Sequence, residues 1–95
     1  MTGFLHDIPR GHIFGAVNIA DSATQLDDVP CQMVVLQADE DNAGNVYYGG
    51  AGVTANTGMR LEAGDWSPWI PCRNLNELYA IAGTANDDLI YHYVL

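Results

Sequence analysis

Three histidines, His6, His12 and His92, and two cysteines, Cys31 and Cys72, are the side chains best equipped to ligate a metal or to supply a nucleophile and its base. No two of them stand at the CxxC or HxxxH spacing that brings ligands together, so ordinary satisfied histidines and small buried thiols are expected. A cysteine or serine nucleophile also needs an orienting group and oxyanion donors, and no GxSxG elbow frames Ser22 or Ser67. The expectation is a chain without catalytic, cofactor-binding or metal-binding residues, and not an enzyme.

The run Asp39-Glu40-Asp41-Asn42-Ala43-Gly44-Asn45 clusters the oxygen ligands a hard cation prefers. It lacks the alternating register and the distal glutamate of an EF-hand, and reads as a solvated turn. Asp27-Asp28 and Asp87-Asp88 read as turn caps, because adjacent residues on extended chain point to opposite faces and cannot act as a pair. Trp66 and Trp69 suit stacking on a sugar ring, and equally suit a protein contact, where tryptophan is enriched.

Charge removes several classes. The chain has no lysine; its basic residues are Arg10, Arg60 and Arg73, against twelve acidic residues and a net charge of −9. Such a field repels phosphate, which argues against nucleic-acid binding. Without lysine there is no Schiff base, and Gly49-Gly50-Ala51-Gly52 cannot complete a phosphate-binding loop. Residues 1–10 lack a basic region followed by an apolar run, and no stretch approaches eighteen apolar residues. A soluble protein made in the cytoplasm, with no membrane partner, is the expectation, and in that compartment free thiols outweigh a Cys31–Cys72 disulfide.

The elements that must position these residues are strands. Ninety-five residues, 48% hydrophobic and 16% charged, make one domain able to bury a small core. His12 to Ala20 alternates Ile13, Gly15, Val17 and Ile19 against Phe14, Ala16, Asn18 and Ala20. Asp21 to Pro30 is turn-like, and Cys31 to Ala38 is a strand with an apolar centre at Val34-Val35-Leu36 that calls for a second covering layer. Residues 39–44 are expected to close a hairpin to Asn45–Tyr48, and residues 83–88 a hairpin between Leu78–Ala82 and Leu89–Leu95. Between them, residues 49–64 form a long glycine-rich crossing with Leu61 tucked inward. Asp65 to Pro71 is an edge or bulged strand, because Pro68 and Pro71 cannot donate to a ladder. The fold expected is all-β, an antiparallel β-sandwich or small barrel of jelly-roll type with about six to eight short strands, spanning residues 12–95 behind an N-terminal arm, 1–11.

The last strand is apolar on both faces, with Leu89, Tyr91, Tyr93 and Leu95 on one and Ile90, His92 and Val94 on the other. With few charges and no lysine to guard strand edges, burial against another subunit or another protein explains it as well as a fully covered core does. Phe4, Leu5 and Ile8 of the arm, with Trp66, Trp69, Tyr91 and Tyr93, are the residues expected at such an interface.

A resemblance gives this surface a context. Gly49-Gly50-Ala51-Gly52-Val53-Thr54 ends a strand, Gly58, Leu61 and Gly64 follow at three-residue intervals, and Leu78-Tyr79-Ala80-Ile81-Ala82 leads to a closing aromatic-aliphatic strand. In order and spacing this resembles small structural proteins of tailed bacteriophage virions, over roughly the C-terminal half; residues 1–45 add no match. The resemblance implies a non-enzymatic β-sandwich subunit on a phage particle, a capsid decoration or cementing protein, with a head-fibre base or tail component next. It implies the major capsid protein or another virion protein as partner, a homo-oligomer with a trimer favoured, and a place in the virion after assembly in the host cytoplasm. The family supplies no catalytic residues. A carbohydrate-binding module using Trp66 and Trp69, and a small hydrolase, are the rival classes.

Overall fold

Side-chain alternation decides where the strands lie, and long-range pairing decides how they are arranged. The computed structural model describes residues 12–95. The proposed arm, with Phe4, Leu5 and Ile8, lies outside the described residues. Eight strands follow one another: β1 (His12–Ile19), β2 (Thr24–Gln25), β3 (Met33–Ala38), β4 (Val46–Gly49), β5 (Met59–Leu61), β6 (Ile70–Pro71), β7 (Tyr79–Ala82) and β8 (Asp87–Val94). A single 3-10 turn, Leu75–Glu77, capped by the Asn74 side chain, separates β6 from β7.

The strands form two antiparallel sheets, ordered β1-β8-β3-β6 and β2-β7-β4-β5. The chain pairs as one long hairpin, β1 with β8, β2 with β7, β3 with β6 and β4 with β5, rolled up so that β3 also meets β8 and β4 also meets β7. This is a jelly roll, and the sandwich expected from the sequence is the fold observed. The inward residues are large in the first sheet, with Ile19, Val34, Leu36, Leu89 and Tyr91. In the second they are Val46, Tyr48, Leu61 and the small Ala80 and Ala82, and Leu26 and Leu75 close the core from connecting segments. Leu61 is buried, as the crossing required.

Two expected hairpins are absent. β3 and β4 lie in different sheets, and so do β7 and β8, so the turns at 39–45 and 83–86 carry the chain across the sandwich. Their chemistry is nevertheless that of tight turns: Asp39 Oδ1 accepts from the Asp41 N–H, and Asn42 N–H donates to the Asp39 carbonyl. The glycine-rich crossing also departs from expectation, because Met59–Leu61 pairs with β4 and makes the one hairpin of the described residues that joins consecutive strands. A turn beyond it places Gly64 at φ 87°, where its N–H reaches the Ala38 carbonyl at 2.9 Å and docks the crossing on β3.

Polar clips fasten each end. At one end Asp87, 6% exposed, accepts from the Ala43 and Gly44 N–H groups at 3.0 and 2.9 Å. Asn42 pairs there with the Asp88 backbone, donating to its carbonyl and accepting from its N–H. At the other end Tyr91 lies over Gly15, its partner across β1 and β8, and its hydroxyl donates to Asp27 Oδ2 at 3.0 Å. A Cβ at Gly15 would stand 2.5 Å from that hydroxyl oxygen, so no larger residue fits without displacing the ring. The connections at the Asp87 end and the start of β8 carry Asp21, Asp39, Glu40, Asp41, Glu62, Asp65, Asp87 and Asp88, eight of the twelve acidic residues.

Asp87→Asn keeps the shape but replaces one acceptor oxygen by a donor that faces a backbone N–H. It should lower stability by about 1–3 kcal/mol, read as a lower urea midpoint with unchanged slope.

Burial first, and then the bond to Asp27, raises the Tyr91 phenol from 10.0 to about 12; burial also raises Tyr48. Both are held neutral by the fold. The Tyr91 contribution is present in full below pH 10.0 and is lost as pH climbs toward about 12, because the unfolded chain releases the proton first. Alkaline titration at the tyrosinate absorption band should therefore show a late phase that Tyr91→Phe diminishes.

Candidate functional site

The outward face of the β1-β8-β3-β6 sheet is where aromatic side chains gather. Pairing sets Phe14 beside His92 and His92 beside Val35, across β1, β8 and β3. An isolated bridge joins Gln37 to Trp66 and brings the indole onto the same face. The rings form a row: His92 lies 5.8 Å from Phe14 and 5.3 Å from Trp66 between centroids, tilted by 43° and 36°. Phe14 is 70% exposed and Trp66 54%, whereas Val35 beneath the row is only 8% exposed. Ile70 packs on the core, so alternation turns Trp69, 47% exposed, to the outward side as well. Met33 and Leu95, both exposed, extend the apolar surface at the end where β8 finishes.

One buried hydroxyl aims the indole. Ser67, next to Trp66, accepts from the Leu36 N–H at 2.8 Å and donates to the Pro68 carbonyl at 2.8 Å, while its own N–H donates to the Leu36 carbonyl at 2.7 Å. The two bonds to Leu36, with the Ala38 N–H donating to the Asp65 carbonyl at 3.0 Å, hold this kinked segment against β3 although Pro68 and Pro71 donate nothing. The edge position expected for residues 65–71 is what the structure has, with β6 shortened to two ladder pairs.

The interface residues named from sequence divide. Trp66 and Trp69 lie on the outward face. Tyr91 is 7% exposed, and Tyr93, paired with the inward Val34, packs against the core beside it at 6.0 Å. Both tyrosines thus face the second sheet, because β8 turns its more bulky alternate set inward. Phe14 and His92 are the members that sequence reasoning missed. Phe14 belongs to the weaker alternate set of β1, with Ala16 and Asn18, and that was the available signal.

Among the described residues no three His, Cys, Asp or Glu side chains converge as metal ligands, and no helix is long and apolar enough to cross a membrane. Cys31 and Cys72 are thiols whose sulfurs lie 3.4 Å apart, and burial, then the hydrogen-bonded Cys31 thiol, pushes Cys72 up to about 12.

Fold and surface together define an eight-stranded antiparallel sandwich with an aromatic outer face. No protein-family model and no curated protein matches the chain. Among solved structures, a chain from Bacillus endospore appendages, described as a family of disulfide-linked pili, is similar over 88% of this chain and 85% of that one, at 18% identity and a TM-score of 0.48. A likeness so remote carries no functional argument.

Ser67→Ala leaves the Leu36 N–H without its side-chain acceptor and releases the Trp66 segment. A loss of about 1–3 kcal/mol is expected, with a red-shifted and more quenchable tryptophan emission in the native baseline. An unchanged emission would show that Ser67 does not hold the indole.

Proposed function

We propose that the protein is a non-enzymatic structural subunit of a tailed-bacteriophage virion, which binds the capsid surface as a decoration or cementing protein through the outward face of the β1-β8-β3-β6 sheet. The observation that carries this reading is the row of Phe14, His92 and Trp66, with Trp69 beside it. Large rings stand in water there on a rigid sheet, and among the described residues Met59 is the one exposed large hydrophobic side chain that lies on the other sheet. Support comes also from the jelly-roll topology, an architecture that viral capsid domains use, and from the resemblance of residues 46–65 and 74–84 to phage structural proteins. Those residues form β4, β5 and β7, which hold the second sheet together.

Mass action is the mechanism. A subunit that binds across neighbouring capsid proteins favours the assembled shell over its dissociated parts by the free energy of its own binding. Aromatic anchors at the centre of a contact supply most of that energy and exclude water from it. The acidic balance opposes nucleic acid as the partner and leaves a protein lattice as the better match. A homo-oligomer on the lattice and a contribution from the arm, Phe4, Leu5 and Ile8, belong to the same proposal.

The glycan reading keeps one observation in its favour, since exposed Trp66 and Trp69 on one face are what a sugar-stacking site requires. One experiment separates the two. Purified protein is added to empty capsids lacking it, and particle occupancy and shell melting are measured in parallel with a glycan titration followed by tryptophan fluorescence. Saturable binding that raises the shell's melting temperature is expected. It should fall at least tenfold in affinity for Trp66→Ala combined with Phe14→Ala, whose own melting is checked separately. No binding to capsids, with glycan-dependent quenching, would replace this reading by the carbohydrate one.

A further inference from the structure

The end of the sandwich opposite Asp87 holds two thiols that the binding face does not use. Cys31 stands just before β3 and Cys72 just after β6, on the two segments that form one edge of the first sheet. Their sulfurs are 3.4 Å apart. The backbone holds them in register, with Cys31 N–H donating to the Arg73 carbonyl at 3.0 Å and Cys72 N–H to the Gln32 carbonyl at 3.2 Å. A disulfide needs about 2.05 Å, so the two sulfurs have little more than 1 Å to close.

Access is unequal. Both cysteines line an open depression with Gln32, Pro71, Arg73 and Glu77, Cys72 half-buried and Cys31 buried. A small thiol reagent meets Cys72 first and leaves Cys31 within reach to resolve the adduct. The strand beside them is the weakest of its sheet: β6 has two ladder pairs, and Pro71 cannot donate to the ladder.

We infer that Cys31 and Cys72 are a latent clamp, closed to an intramolecular disulfide by a small-molecule disulfide of the glutathione class, which fastens β6 and the segment bearing Trp66 and Trp69 to the sheet. The Cys72 thiol gives its proton to solvent and attacks one sulfur of the reagent. A Cys72–reagent disulfide forms, and the other half leaves as thiolate and takes up a proton. Cys31, deprotonated in turn, attacks the Cys72 sulfur, forms the Cys31–Cys72 bond and expels the second half as thiol. Each protein sulfur loses one electron and the reagent gains two. The raised proton affinity of Cys72 makes the first attack slow and leaves its product unaffected. The bridge would close a loop that holds β3, β4, β5 and β6, so the unfolded chain loses freedom that the native chain has already given up.

The test uses the whole protein, reduced and then incubated with excess oxidised glutathione until thiol loss stops. Expected results are zero free thiols under denaturing conditions, a monomer lighter by two hydrogens, and a melting temperature higher by roughly 5–15 °C that dithiothreitol reverses. Cys31→Ala treated identically should stop at the glutathione adduct of Cys72. Two persistent thiols, a wild-type adduct that does not resolve, or disulfides only between chains would overturn the inference. A closed bridge with unchanged melting would overturn the clamping role. Wild-type results decide each of these points even where the variant folds poorly.

Discussion

Everything in this fold depends on β1 meeting β8. Eight consecutive pairs, from His12 with Val94 to Ile19 with Asp87, join the two ends of the described chain. β8 then offers its other edge to β3, which in turn holds β6. Only β4 and β5 pair across a short connection, so nearly every ladder waits for distant segments to find one another. Topology of this kind makes folding slow and cooperative, since loop closure must come before most contacts reward it. It also explains why the polar clips sit where they do. Asp87, Asn42 and Asp88 at one end, and Tyr91 with Asp27 at the other, fix the connections that bring the late strand home.

Period-two patterning made β1, β3, β4, β7 and β8 legible as strands, and the prolines made β6 legible as an edge. The connectivity was not legible, for a physical reason. Turns rich in Asp, Asn and Gly reverse the chain in the same way whether the next strand pairs with the last or crosses to the other sheet, and residues 39–45 and 83–86 do the latter. β5 escaped because three residues, Met59, Arg60 and Leu61, carry too little alternation to stand out from glycines on both sides. The aromatic face was half legible. Tryptophan beside proline marks Trp66 and Trp69, but a strand apolar on both faces does not reveal which face is inward, so the pattern offers Tyr91 and Tyr93 as interface residues and does not single out His92.

β8 has two apolar faces and only one is met by the second sheet. The outer one is covered in part by its own rings, which is how Val35 comes to be 8% exposed beneath exposed neighbours. The edges are handled differently. β2, β5 and β6 are two or three residues long, too short to template another strand, whereas β1 is eight residues long with no neighbour on its outer side among the described residues. For the lattice-bound role proposed above, a long open edge next to Phe14 would let one approach bring both surfaces to a neighbour.

The gathering of eight acidic side chains around Asp87 makes the charge of the described residues lopsided. An electric dipole of that origin acts through roughly one Debye length, about 8 Å at physiological salt, before any surfaces touch. Near a negatively charged body the acidic pole swings away and the opposite pole, where β1 begins and β8 ends, leads the approach. Orientation is thus selected during diffusion, and it loosens as ionic strength rises.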